Sequence, residues 1–216
     1  MEEICKKLED LLSAREDAVK KVAENIDRIK EEVCADKTKY ATNFDWLGVF
    51  CPSLIIDKMA GGYKKGRLLS KQPKSTKYNK CYFNEKGEVL YFEKYNEYGC
   101  GSTYYFFKID DVIWAVPFIR DGKNVYPTYV HAMIYENGKI KEYAYMEPTS
   151  INFEKYVYTN DTDKIVCYDY YYVRNEKRGT LRTSKVDIFM EQRKVKKLLC
   201  YEKVNGEDKL IYQYEK

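Results

Sequence analysis

His131, in the run Tyr129-Val130-His131-Ala132-Met133, is the only histidine of the chain, so it is the one side chain whose ordinary pKa suits proton transfer near neutrality. A Ser–His or Cys–His nucleophilic pair would have to use it, yet no Gly-x-Ser-x-Gly elbow accompanies it. It reads as a strand histidine with its hydrogen bonds satisfied. The seven cysteines (Cys5, Cys34, Cys51, Cys81, Cys100, Cys167 and Cys200) stand at least 17 residues apart, without a Cys-x-x-Cys. With a single histidine beside them they do not have zinc-ligand spacing, and an odd, scattered set reads as reduced thiols packed as small hydrophobes. The carboxylate pairs Asp110-Asp111 and Asp161/Asp163 fall at turns, where Asp is used for backbone hydrogen bonds. Gly61-Gly62-Tyr63-Lys64-Lys65-Gly66 lacks the spacing of a phosphate-binding loop. The expectation is therefore no catalytic residue, no metal and no cofactor.

What remains is surface chemistry. Tyrosine is in excess, with 23 residues, of which 21 lie at or beyond Tyr78. The net charge of +4 hides an asymmetry, because residues 1–36 carry eleven acids and seven bases, leaving about +8 for the rest. Residues 58–80 hold eight bases (Lys58, Lys64, Lys65, Arg67, Lys71, Lys74, Lys77, Lys80) and no acid. Such a block steers acidic partners, but the overall balance is far from that of a dedicated nucleic-acid binder. No hydrophobic run reaches membrane-spanning length, and the acidic Met1-Glu2-Glu3 start lacks a signal-peptide layout, so a cytoplasmic protein is expected.

The elements that must position these residues are of two kinds. Ile4, Leu8, Leu11, Leu12, Val19, Val22, Ile26, Ile29 and Val33 recur at three- and four-residue steps, predicting one amphipathic helix over 2–34, within an N-terminal segment 1–36. Its stripe needs a cover. Arg15 and Asn25 fall on the heptad seam, which favours a sheet face over a coiled-coil partner. Residues 37–77 form a connector in which Pro52 opens a short second helix to Met59.

From 78 to 216 strand follows strand: 79–84, 87–95, 103–109, 112–120, 125–135, 139–146, 152–159, 164–173, 180–190, 194–203 and 208–215. Asn137-Gly138 and Asn205-Gly206 suit tight hairpins, and the other turns are placed at 85–88, 99–101, 110–111, 121–122, 160–161, 178–179 and 191–193. Loops this short join antiparallel neighbours. The predicted fold is mainly β (α+β): a long N-terminal helix packed on an up-and-down meander of ten or eleven strands, strongly curved or closed because flat sheets that wide are rare, and forming one structural domain.

Period-two alternation divides the strands into an aliphatic and a tyrosine face. Leu90 and Phe92 oppose Tyr91 and Tyr95; Ile140 and Ala144 oppose Tyr143 and Tyr145; Phe153 and Val157 oppose Tyr156 and Tyr158. Tyrosine gives large apolar area with a wet hydroxyl. Tyr91, Tyr95, Tyr143, Tyr145, Tyr156 and Tyr158 are therefore candidate contact residues, with Lys64, Lys65 and Arg67 steering an acidic partner.

The block Lys58-Met59-Ala60-Gly61-Gly62-Tyr63-Lys64-Lys65-Gly66-Arg67, followed by Tyr82-Phe83-Asn84-Glu85-Lys86-Gly87 and Tyr95-Asn96-Glu97-Tyr98-Gly99, resembles bacterial immunity-type proteins of polymorphic or contact-dependent toxin systems. The hairpins are loosely similar to YD-type repeats of toxin-delivery shells. The resemblance implies a non-enzymatic protein that binds and occludes a cognate toxin domain; it supplies no set of functional residues. Two alternatives stand beside it, a β-barrel-like carrier of a small ligand or lipid, and an adaptor with weak nucleic-acid affinity through the basic loop 58–80.

Overall fold

The computed structural model describes residues 2–42, 47–59, 66–119, 127, 129–159, 163–174 and 179–216. The predicted turns at 121–122 and 160–161, the Arg178 side of the turn at 178–179, Asp161, and the apolar residues Phe44 to Trp46 lie outside the described residues, as does the Gly61-Gly62 helix stop.

The amphipathic stripe forms α1 (Glu2–Glu24) and, after a break at Asn25, α2 (Ile26–Glu31). The break is local chemistry: the Asn25 side chain donates to the Lys21 carbonyl at 2.8 Å, competing with the helix for its backbone acceptor. Thirteen strands follow among the described residues. They are β1 (Lys39–Ala41), β2 (Leu68–Leu69), β3 (Tyr78–Phe83), β4 (Val89–Asn96), β5 (Gly99–Ile109), β6 (Val112–Ile119), β7 (Val130–Glu136), β8 (Lys139–Met146), β9 (Ser150–Tyr158), β10 (Lys164–Val173), β11 (Thr180–Glu191), β12 (Lys194–Val204) and β13 (Glu207–Glu215). The eleven from β3 onward correspond to the strands predicted from turn chemistry, except that β5 starts at Gly99, so the turn expected at 99–101 lies at Glu97-Tyr98, while β1 and β2 are too short to leave a periodic signal.

Closure is corrected. The hydrogen-bonded order runs from β13 in sequence down to β3, then to β1 and β2, so β13 and β2 are two separate ends. The sheet is an open antiparallel meander and not a closed or strongly curved one. A two-residue β2 has too few backbone groups to seal against the nine-residue β13. Burial is achieved instead by segments laid on the sheet.

The turns obey their residues. Asn137 and Gly138 (φ 51° and 72°) and Asn205 and Gly206 (φ 54° and 88°) both take the paired left-handed geometry that a two-residue hairpin requires. Gln192 and Arg193 take the same conformation at φ 48° and 63° without the side chains that favour it.

The chain divides into two compact units, one of Met1–Ser13, Pro52–Tyr63 and Met133–Lys216, the other of Ala14–Cys51 and Lys64–Ala132. In the first, the start of α1 lies on one face of the sheet. Lys7 bonds Glu142 at 2.5 Å and stands over the Phe153 ring, while Glu9 accepts from Tyr172 and from Arg174. The opposite face of the same strands lies under Pro52–Met59. Leu54 N–H donates to the Tyr156 hydroxyl at 3.0 Å, and the Tyr212 hydroxyl donates to the Lys58 carbonyl at 2.5 Å. Only Ile56–Met59 (α3) of this stretch is helical: the chain bends at Leu54-Ile55, where Ser53 Oγ accepts from the Ile55 and Ile56 N–H groups, so the helix starts there and not at Pro52. In the second unit Phe50 stacks on Phe92 at 5.5 Å and meets Phe83 and Phe106, over a core that includes Cys81 and Tyr104. Arg15, placed on the apolar seam of α1, is buried there and donates to the Pro127 carbonyl at 2.6 Å.

Replacing Gln192-Arg193 by Asn-Gly is expected to stabilise the protein by about 1 kcal/mol, because a β-carbon in the left-handed region costs roughly 1–2 kcal/mol per residue. Urea denaturation checks it; an unchanged or lowered midpoint contradicts it.

Candidate functional site

Two buried polar groups and one open face concentrate the chemistry of this chain. In the first unit, β9 and β10 pair Glu154 with Asp169 and Tyr156 with Cys167. Antiparallel partners share a face, so the two carboxyls and the thiol come together on the side covered by Pro52–Met59. Ser53 Oγ donates to Glu154 Oε1 at 2.9 Å, and the Tyr156 hydroxyl donates to Glu154 Oε2. Ser53 also accepts from the Ile56 N–H at 3.0 Å, so one serine starts α3 and holds it to the sheet. Burial, reinforced by the nearby Asp169 charge, pushes the Glu154 carboxyl up to about 8 against the two hydrogen bonds it accepts. Burial alone raises Asp169 to about 6, and it raises the Cys167 thiol as well. Near neutrality this pair retains a proton, in an interior where Glu154 is 6% and Ser53 3% exposed. Strands, not turns, carry it. The sequence signal was an acid at a position in register with inward tyrosines.

His131 is fully buried in the second unit, 5.9 Å from Tyr129 and 6.4 Å from Tyr104 between ring centroids. The Tyr104 hydroxyl donates to that of Tyr129 at 2.6 Å, and the Lys94 ammonium lies over the Tyr104 ring. Burial, with the Lys94 charge added, drives His131 down to about 3, so it stays neutral at physiological pH.

The tyrosines chosen from alternation do not form one outward face. Tyr91, Tyr143 and Tyr156 are 8%, 2% and 4% exposed, whereas Tyr95, Tyr145 and Tyr158 are half-exposed. Alternation sorted them correctly by side, since Tyr143 and Tyr145 pair with Glu154 and Asn152, and Ala144 with Phe153. It could not reveal that Pro52–Met59 covers the Tyr156 side, nor that Tyr91 is stacked under Tyr82 at 4.2 Å and flanked by Tyr105. Arg67 is exposed; Lys64 and Lys65 lie outside the described residues.

The open face lies farther along the first unit. Tyr168, Lys185, Tyr201 and Leu210 form one rung across β10–β13, and an open groove of about 810 Å³ runs over Tyr168, Thr183, Lys185, Tyr201 and Lys203. Tyr168 is 36% and Leu210 46% exposed, with Val157 nearby on the same face at 41%. Tyr168 is marked in the sequence by the run Tyr168-Asp169-Tyr170-Tyr171-Tyr172, which places tyrosine on both faces of one strand; Lys185, Tyr201 and Leu210 carry no such mark.

Among the described residues no group of three or more His, Cys, Asp or Glu side chains is placed to hold a metal ion, and no helix is long and apolar enough to cross a membrane.

Glu154 and Asp169 hold protons in the folded chain that the unfolded chain releases, so their stabilising contribution is complete below about pH 4 and is lost as pH rises through 6 and 8. Glu9, held low by Tyr172 and Arg174 against the opposing effect of burial, acts with the opposite sign below its usual 4.5, and the contribution of neutral His131 is complete above its usual 6.5 and is lost as pH falls toward 3. Glu154→Gln isolates the first effect. Its stability relative to wild type should rise between pH 5 and pH 9 by on the order of 1–4 kcal/mol in urea melts. A difference independent of pH contradicts the assignment. No protein-family model matches this chain, and no curated protein and no solved structure is significantly similar to it.

Proposed function

We propose that this is a non-enzymatic, cytoplasmic binding protein whose partner is another protein, and that it acts as an immunity protein, occluding a cognate bacterial toxin domain. The observation that supports a protein partner is the Tyr168–Lys185–Tyr201–Leu210 rung with its open groove. Tyrosine and aliphatic side chains there are solvated on a rigid four-stranded support, the composition that macromolecular interfaces use at their centre. Lys185 lies 5.9 Å from the Tyr201 ring and 3.6 Å from Asp187, which holds the ammonium at the centre of the rung. The carrier alternative needs a closed sheet around a cavity, and the open strand order removes that premise. The toxin assignment rests on the resemblance of the Lys58–Arg67 block and the tyrosine hairpins.

The test is co-expression with toxin domains encoded beside the gene, together with capture of the partner on immobilised protein. Protection and a stoichiometric complex are expected. The double variant Tyr168→Ala/Tyr201→Ala should weaken the complex about 10- to 100-fold while leaving the melting temperature within a few degrees. Failure to protect against any neighbouring toxin removes the immunity role; an unaffected complex removes the rung as the docking surface.

A further inference from the structure

A second tyrosine surface, in the unit of Ala14–Cys51 and Lys64–Ala132, has a different chemistry. Its β3–β4 ladder reads as three rungs on one face: Tyr82 with Tyr91, Lys80 with Glu93, and Tyr78 with Tyr95. The outer rungs are stacked, at 4.2 Å for Tyr82–Tyr91 and at 5.0 Å and nearly parallel for Tyr78–Tyr95, with Tyr40 of β1 6.0 Å beyond Tyr78. Tyr40, Tyr78, Tyr82 and Tyr95 are half-exposed, and Tyr98, on the hairpin tip that follows β4, is 91% exposed. On its other side Tyr95 neighbours Cys100, a side chain too small to cover the ring.

Between the aromatic rungs, Glu93 Oε2 accepts from the Tyr82 and Tyr95 hydroxyls at 2.8 and 2.9 Å. Its second oxygen takes no hydrogen bond among the described residues and is an open acceptor at the centre of the face. The border is basic. Arg67, Lys71, Lys74 and Lys77 are exposed on the segment that leads into β3, and that segment is tied to the surface by Gln72, which donates to the Tyr78 hydroxyl at 3.0 Å. Residues 58–80 contain no acid to offset them.

We propose that this face binds single-stranded nucleic acid. The three features answer the three parts of a nucleotide. Half-exposed rings on a sheet, flanked on the same face by buried Tyr91 and Tyr105, offer stacking surface to unpaired bases. Lysines and an arginine along one border meet a phosphate backbone whose attraction is strong at low salt. The free oxygen of Glu93 accepts from an exocyclic base amine, which cytosine and adenine carry and uracil lacks. The basic border disfavours a purely cationic ligand at Glu93, and the narrow rungs leave no groove for a duplex. This surface is separate from the β10–β13 rung and does not depend on the role proposed for it.

The experiment is fluorescence anisotropy with labelled 12-nucleotide strands rA12, rC12, rU12 and dC12 and a 12-base-pair duplex, between 50 and 300 mM salt. Single strands are expected to bind at least ten-fold tighter than the duplex, with rC12 and rA12 ahead of rU12; comparison of rC12 with dC12 separates RNA from DNA as the source. Tyr95→Ala should weaken binding about ten-fold. Tyr98→Ala, on the exposed tip, should also weaken it and guards against a folding defect in the first variant. Lys74→Gln and Arg67→Gln should each flatten the salt dependence by about 0.7 in slope, and Glu93→Gln should narrow the gap between rC12 and rU12. Absence of salt-dependent binding to any strand, or affinities unmoved by both tyrosine variants, overturns the proposal. So does a finding that these variants abolish capture of a protein partner while no oligonucleotide binds.

Discussion

Burial of both faces of a sheet that never closes is the constraint on which the rest of the structure depends. Each hairpin is locally specified, but a ladder of antiparallel strands leaves two surfaces rich in Phe, Tyr and Ile in contact with water. A barrel would hide one of them by closing on itself. Here the strands of the first unit are covered from both sides, by the start of α1 through Lys7, Leu8 and Glu9 and by Pro52–Met59 through Ser53, Leu54 and Lys58. Both covers are bonded to side chains of β8–β10 and the strands beside them, which explains why tyrosines such as Tyr143 and Tyr156 are interior residues. Their hydroxyls need partners once buried, and for Tyr156 that partner is Glu154 together with the Leu54 amide.

The same constraint explains where an acid can be found in the core. Glu154 has a polar floor and roof, with Tyr156 in its own strand and Ser53 in the covering segment, and its proton is retained because burial disfavours the charge and Asp169 lies opposite. Such a cluster ties the cover to one register, since a shift of one residue along β9 would turn Glu154 toward the α1 side. On the α1 face cover ends toward β12 and β13, and there the rung of Tyr168, Lys185, Tyr201 and Leu210 remains wet, whereas on the other face Pro52–Met59 reaches β13 through the Tyr212–Lys58 bond. The difference between the covered and uncovered parts of one sheet is the physical basis for separating residues that hold the fold from residues free to meet a partner.

Much of this architecture was legible in the chain. Asn137-Gly138 and Asn205-Gly206 announce hairpins because few other dipeptides accept two consecutive positive φ angles, and the 3.6-residue stripe from Ile4 to Val33 announces the helices. Asn25, one of two polar residues on that stripe with Arg15, is where the helix breaks. What escaped reading is long-range. β1 and β2 are defined by their partner strands more than by their own residues, and the open strand order depends on what caps the ends. Alternation told which tyrosines share a side but not which side has a cover. The carboxyl pair was missed because Asp and Glu were weighed where they cluster in sequence, at turns, whereas Glu154 and Asp169 are fifteen positions apart and meet only through the β9–β10 register.

Amide hydrogen exchange along the strands of the first unit tests two-sided cover most directly. If the two segments carry the stability of the sheet, amides of β8, β9 and β10 under α1 and Pro52–Met59 should exchange slowest, with those of Leu54 and Ile56 protected alongside them, and β12 and β13 should exchange faster by orders of magnitude. Uniform protection from β8 to β13, or rapid exchange at Leu54 and Ile56 while β9 stays protected, would contradict it.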